Sequence, residues 1–419
     1  MKQNIIFLFP DQHRGDWLPL TKQELCELGI EKLPLEMPNL RKIMDKGIHF
    51  NNAITPSPLC APARACLASG KRYENCGVPN NGYDYPEDLP TFYSALKDAG
   101  YSVGGVGKFD LHKKTMWWGL DGWVDLFGKV GFTHAIDNAG KMDAANSGKI
   151  EPQDPYMLAL HERGYAKYHS DNLKTRKHSI EPTELPEDLY CDNWLSQKAL
   201  DMLEEFPKDK PWFMQVNFTG PHEPWDVTKS MREKWENAEF DMPNNFTKEE
   251  INIQGIRQNY AAMLDNIDRN IGNILGKIEE MGQLDNTVIV YASDHGEMLG
   301  DFDRFAKNRP ERASVHIPMV ISTPGMTKAT VNTSFVELQD LANTFLDIAN
   351  TSMETADESM SLMPIIKGEK TTHRTYQKSA LNNWEMVKTD KEKIVLEDGK
   401  ITRVYDYKND IWENNNILK

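Results

Sequence analysis

Four apolar runs in this chain each stop in a chemically active side chain, and that recurrence constrains the fold more than any other feature. Asn4-Ile-Ile-Phe-Leu-Phe9 leads to Asp11-Gln12-His13-Arg14, and Tyr101-Ser-Val-Gly-Gly-Val106 leads to Gly107-Lys108. Trp212-Phe-Met-Gln-Val-Asn217 leads to Pro221-His222, and Val288-Ile-Val-Tyr-Ala292 to Ser293-Asp294-His295. A strand that is apolar at nearly every position is buried on both faces, which calls for a mainly parallel sheet covered by helices on either side. Parallel strands share one C-terminal edge, so the polar residues that follow each run are expected to converge there.

Helical patterns separate these runs. Residues 255–281 carry the clearest one, with Tyr260, Met263, Leu264, Ile267, Ile271, Ile274, Leu275 and Ile278 on one stripe. Shorter helices are expected over 37–47, 89–100, 192–206 and 334–350, and a further strand over 318–322. The predicted fold class is α/β: a large mixed, mainly parallel sheet flanked by helices on both faces, with a small C-terminal antiparallel subdomain. The stretches 137–191 and 225–254 are polar and aperiodic, and read as long loops around a mouth over the strand ends. After residue 357 the pattern shortens to alternating strands around Glu397-Asp-Gly-Lys400. A catalytic domain over 1–357 and an α+β subdomain over 358–419 are the expected division.

The formal net charge of −15 argues against a general binder of nucleic acid or anionic membrane. It leaves room for a small anionic substrate, because a few nearby cations outweigh a distant acidic field. No apolar run reaches membrane-span length, and the first strand is too short for a signal-peptide core. As written the chain reads as cytoplasmic; a signal peptide removed upstream would make it periplasmic or secreted. Five cysteines in 419 residues do not make a disulfide framework.

Cys60-Ala-Pro62-Ala-Arg64 opens an Ala/Leu-rich run. Pro62 suits the first turn of a helix, which places Cys60 at or just before a helix N-terminus, where negative charge is favoured. Arg64 lies one turn on and faces the same spot. Asp11, Asp294 and His295, with Gln12 offering an amide oxygen, form a mostly oxygen-donor set suited to Ca²⁺ or Mg²⁺, with Mn²⁺ admitted by the imidazole. Arg64, Lys108, His222 and Lys307 supply cationic or donor groups for a tetrahedral oxyanion. Other readings of these cysteines are weaker. Cys66 and Arg72 have the spacing of a cysteine-phosphatase loop, but Leu67-Ala-Ser69 reads as helix, and Cys60, Cys66 and Cys76 lack the paired spacing of a zinc site. The Trp117-Trp118 pair reads as packing ahead of a sugar platform, which a position at the mouth would favour.

Cys60-x-Pro62-x-Arg64 with Leu67-Ala-Ser-Gly70 resembles the signature of the type I sulfatases of the alkaline phosphatase superfamily. Asp11-Gln12, Gly107-Lys108, Pro221-His222-x-Pro224 and Ser293-Asp-His-Gly-Glu-Met-Leu-Gly-Asp301 with Lys307 follow in that family's order, so the resemblance spans nearly the whole chain. It implies that Cys60 is converted to formylglycine by a formylglycine-generating or radical maturation enzyme. It implies a divalent cation, Ca²⁺ first, on Asp11, Gln12, residue 60, Asp294 and His295. It also implies hydrolysis of a sulfate ester by the hydrated aldehyde, with Lys108, Lys307 and Arg64 stabilising charge and His222 protonating the leaving oxygen. The expected substrate is a sulfated sugar or oligosaccharide. The alternatives are phosphonate or phosphate ester hydrolysis at the same site, or an unmatured anion binder. Asp11-Gln12 stands where many relatives have two acidic residues, a pairing closer to the choline-sulfatase and phosphonate-monoester-hydrolase branch. The usual Gly-Lys-x-His is Gly107-Lys108-Phe109-Asp110, with His112 two residues later. Asp110 or His112 is therefore expected near the nucleophile, or Asp110 against a substrate hydroxyl.

Overall fold

A computed structural model describes residues 2–354 and 358–418. Its main sheet has eight strands in the spatial order His134–Asp137, Ser102–Gly107, Trp212–Asn217, Asn4–Leu8, Thr287–Ala292, Met319–Ser322, Ile48–Phe50 and Thr330–Asn332. Neighbours pair in parallel throughout, except that Met319–Ser322 runs antiparallel to both strands beside it. The unbroken apolar runs have the cause read from the sequence. In the first strand Ile5, Phe7 and Phe9 enter the core on one face, and Ile6 and Leu8 enter the core on the other. Successive side chains of a strand point to opposite faces, so a strand covered on both must be apolar at every position.

The helix Ile253–Glu280 covers one face, its N-terminus capped by the Asn252 side chain accepting from the Gly255 N–H. Cys191–Glu205 packs beside it. On the other face lie Cys60–Ser69, Phe92–Asp98 and Asp340–Ile348. All ten residues of Cys60–Ser69 are buried, and the helix ends at Gly70 with φ 66°. Ala, Cys and Leu fill this segment because it is enclosed on every side and has no room for a polar stripe.

Two sequence readings change. Residues 334–350 are not one helix: Val336–Glu337 pairs with Ala53–Ile54 as a short parallel ladder, and the helix is Asp340–Ile348. The Asp340 carboxylate, which accepts from the Glu337 N–H and from Arg374, lies at the junction and breaks the helical run. Residues 137–191 are not mainly loop either. They hold the helices Gly140–Ser147, Pro155–Glu162 and Ala166–Arg176. Their apolar residues lack a clean helical stripe because they pack against several neighbours at once. Trp118 is fully buried, whereas Trp117 is 43 % exposed.

The C-terminal part forms a four-stranded antiparallel sheet over Gln377–Leu381, Trp384–Lys388, Lys393–Glu397 and Lys400–Tyr405. Asp398 and Gly399, both at positive φ, turn the last hairpin. The sheet packs Leu381, Trp384 and Met386 onto Ile54 and Val315 of the main body. The expected division at 357/358 abuts residues 355–357, which lie outside the described ones. No described helix is long and apolar enough to cross a membrane.

The segment after the first strand is held tightly. Tyr260 donates to the Gln12 carbonyl (2.8 Å) and accepts from the Arg14 N–H (3.0 Å). His13 is fully buried; its Nε2 donates to the Trp17 carbonyl (2.6 Å), so Nδ1 accepts from the Tyr291 hydroxyl (2.7 Å). Both bonds suit the neutral ring, and burial lowers the imidazole pKa from 6.5 to about 4. The unfolded chain therefore binds this proton more readily than the folded one, and stability falls as pH drops through 6.5 toward 4. His13 contributes roughly 3 kcal/mol to that loss. Urea midpoints at pH 7.5 and 4.5 should differ less in His13→Gln than in the parent chain; equal differences would show that this histidine is not responsible.

Candidate active site

The four strand ends meet over the N-terminus of Cys60–Ser69. Leu59 is extended at the N-cap, with φ −150°, and its side chain does not cap the helix, so Cys60 is presented at the first turn. The Cys60 Sγ lies 3.3 Å from His295 Nε2, 3.4 Å from Lys108 Nζ and 3.9 Å from Asp11 Oδ1. Burial and Asp11 oppose ionisation of the thiol, but Lys108, Lys307 and His295 outweigh them and hold its pKa well below the ordinary value.

Gly107 lets the Lys108 strand end approach its neighbour. It adopts φ +105°, and a Cβ there would meet the Asn217 carbonyl oxygen at 2.0 Å. Lys108 then donates to Asp11 Oδ2 and lies 3.4 Å from Asp110. Burial works against its charge, yet Asp11, Asp110 and Cys60 raise its pKa well above the ordinary range. Lys307 Nζ donates to Gln12 Oε1 (2.5 Å) and to His222 Nε2. The pKa of Lys307 is also raised: burial is opposed by Cys60, Glu223 and Asp11. His222 sits between two cis prolyl bonds, and its Nδ1 donates to the Glu223 carbonyl (2.6 Å). Its Nε2 is thereby left on the side of Lys307.

Asp11, Cys60, Asp294 and His295 are all buried and offer ligand atoms within 4.8 Å of one another. The donor chemistry fits a divalent cation. His295 Nδ1 donates to the Gly296 carbonyl (3.0 Å), which leaves the Nε2 lone pair facing Cys60 and the carboxylates. Asp294 Oδ1 is oriented by the N–H groups of Gln12 (3.0 Å) and His295 (2.9 Å). Burial lowers the proton affinity of His295, but Asp294 and Cys60 raise it overall, so these surroundings favour any cation at Nε2.

The structure sends other expected residues elsewhere. Arg64 does not line the cavity. Its guanidinium donates to Asp294 Oδ2 (3.1 Å), Asp11 Oδ2 (3.3 Å), Asn217 Oδ1 (3.3 Å) and the Lys108 carbonyl, so it braces the two carboxylates from behind. The Gln12 amide nitrogen donates to Glu223 and Glu297 while its oxygen accepts from Lys307, so the side chain bridges the Lys307 side of the site. Glu297 also accepts from the Leu299 and Ala306 N–H groups, which fixes the loop before Lys307. Burial and the nearby Glu223 raise its pKa to about 7. His112 turns away to Asp137 Oδ2 (2.7 Å), whose other oxygen accepts from the Phe109 N–H (3.1 Å). This pair clamps the segment that carries Lys108. Asp110 bonds Lys113. Among the described residues the imidazole in contact with Cys60 is that of His295.

Above Cys60 opens a cavity of about 330 Å³, lined also by Asn81, Lys113, Asp143, Glu223 and Asn308. Sequence reasoning missed these residues. Glu223 lay inside the Pro221–Pro224 block and was readable there; Lys113 and Asp143 carry no spacing signal. Asp143 comes from the helix Gly140–Ser147, whose first residue packs against the Lys108 stem.

Residues 3–351 match the family described as Sulfatase. The chain belongs to the sulfatase family. It is therefore a hydrolase, and the buried cluster of Asp11, Cys60, Asp294 and His295 suits a divalent cation. This sulfatase is similar to an arylsulfatase of Clostridium perfringens, 28% identical over 409 residues that cover 90% of this chain and 81% of that protein. It is also similar to an N-acetylglucosamine-6-O-sulfatase of Bacteroides thetaiotaomicron, 25% identical over 425 residues, covering 90% and 73% respectively. Its fold matches that of a phosphonate monoester hydrolase from Silicibacter pomeroyi with a TM-score of 0.82 at 20% identity, over 99% of this chain and 91% of that one.

Proposed function

We propose that this sulfatase releases inorganic sulfate from sulfate monoesters of sugars, with formylglycine formed from Cys60 and a divalent cation held by Asp11, Asp294, His295 and residue 60. Ca²⁺ is the first candidate for a buried set rich in carboxylate oxygen, ahead of Mg²⁺ and Mn²⁺. The observation that carries the reading is the convergence of Lys108, Lys307 and the cation-ligand cluster on one cysteine at a helix N-terminus. The names of the relatives support an ester of a sugar or an aryl alcohol.

Formylglycine supplies a nucleophilic hydroxyl where a thiol would trap the sulfuryl group, and the cation supplies Lewis-acid stabilisation of negative charge. Lys108 and Lys307 flank the position of a sulfate above residue 60 and stabilise its oxygens as charge develops. Arg64 keeps Asp11 and Asp294 in place without touching substrate. His222 holds its ring proton on Nδ1 against the Glu223 carbonyl, so Nε2 accepts from Lys307, and the Lys307–His222 pair stands at the cavity as the proton donor to the leaving oxygen.

Mass spectrometry of the peptide carrying residue 60, from the native host, is expected to show the aldehyde. An intact thiol in mature host protein would leave an anion-binding protein instead. The Asp11-Gln12 pair favours phosphonate monoester hydrolysis as the second reading. Side-by-side kinetics on an aryl sulfate and an aryl phosphonate separate the two, with the sulfate expected to react faster.

A further inference from the structure

Beyond its charged floor, the cavity above Cys60 is crossed by groups that sulfate chemistry does not use. Lys113 Nζ lies 3.0 and 2.9 Å from the two Asp110 oxygens and 2.9 Å from Asp143 Oδ2. Asp110 and Lys113 are buried, while the Asp143 side chain is 29% exposed at the mouth. Among the described residues the Asp143 carboxylate has no other hydrogen-bond or ion-pair partner. Its backbone is fixed, because Gly140 at the start of its helix packs against Lys108 with φ +73°.

The lining selects among leaving groups. Among the described residues the lining offers, besides Lys108 and Lys307 at the ester, only Lys113 and Lys141, and these are already paired with Asp110, Asp143 and Asp226, so a second sulfate or a carboxylate on the substrate would find no free cation there. An aryl or quaternary ammonium group is held best by aromatic rings, and among the described residues no Phe, Tyr or Trp lines the cavity. What fits is a group that both donates and accepts hydrogen bonds: Asp143 accepts, and the Asn81 and Asn308 amides do either. A cavity of about 330 Å³ lies at the small end of ligand pockets, enough for one ring beside the ester.

We propose that Asp143, held by Lys113, is a specificity-determining residue: it accepts a hydrogen bond from a hydroxyl of an uncharged, polyhydroxylated leaving group and disfavours a second anionic substituent beside the ester. The proposal rests on the sulfatase reading above. A panel of glucose, galactose and N-acetylhexosamine monosulfates would first give the preferred sugar ester of the parent enzyme. The ratio of kcat/KM on that ester to kcat/KM on 4-nitrophenyl sulfate is then measured for the parent enzyme, Asp143→Asn and Asp143→Ala. Loss of a charge-assisted hydrogen bond lowers that ratio about tenfold to a hundredfold in Asp143→Ala. The loss should sit mainly in KM, and Asp143→Asn, which keeps one acceptor oxygen, should fall between. A merely structural role would lower both esters together, so a ratio within about twofold of the parent value in both variants overturns the proposal. A parent enzyme that turns over neither ester overturns the sulfatase reading, and this proposal with it.

Discussion

Cys60→Ala is expected to lower kcat/KM for an aryl sulfate by at least about 10⁴-fold, because loss of a nucleophile costs on the order of 10⁶ in kcat where other site groups act only with it. The surroundings make this the largest effect in the chain. Cys60 is 1 % exposed, and Lys108, His295 and Asp11 all lie within 3.9 Å of its sulfur. These groups are useful only around a reacting atom at that position. Alanine keeps the helix and removes only the reacting group of residue 60, so the thermal midpoint should change little and the anion pocket should persist. Sulfate should therefore still compete in a binding assay while turnover vanishes. Activity within tenfold of the parent enzyme would move the nucleophile elsewhere.

Asp294→Asn should weaken cation binding at least about a hundredfold, beyond what loss of an outer-shell partner costs, and carry activity down with it. Asp294 holds one oxygen against the Gln12 and His295 N–H groups and the other against Arg64, which it shares with Asp11. The amide keeps the shape but removes one of the two carboxylate charges from the ligand cluster. Chelator competition read by elemental analysis gives the affinity, and the same samples give the rate. Added Ca²⁺ or Mn²⁺ should restore part of the variant's activity at high concentration. Full activity of the parent enzyme in metal-stripped buffer would remove the cation from the reaction.

Much of this site was readable because it is built at strand ends. Asp11, Lys108, His222 and Asp294-His295 each follow an apolar run, and a parallel sheet brings such residues to one edge whatever the loops do. The ordered motif blocks then pointed to the family. Roles were less legible than places. Arg64 has the spacing to reach the cavity, yet it braces Asp11 and Asp294, because two buried carboxylates side by side require a shared cation. His112 stands near the family's histidine position, yet Asp137, 25 residues on, holds it away from Cys60. That partner lies on an edge strand that no local pattern connects to residue 112.

Sequence by itself determined the α/β sheet, the helix behind Cys60, the strand-end clustering and the separate C-terminal sheet. Each follows from local periodicity, a helix-start signal or the covering of both sheet faces. Tertiary structure alone decided which donors face the cavity and which serve other side chains. It also decided that Lys113 and Asp143 cross the mouth from different elements, and that residues 137–191 hold helices. The physical reason is that periodicity records which face of a segment is buried. The partner that a buried charge finds is settled by chain segments far away in sequence.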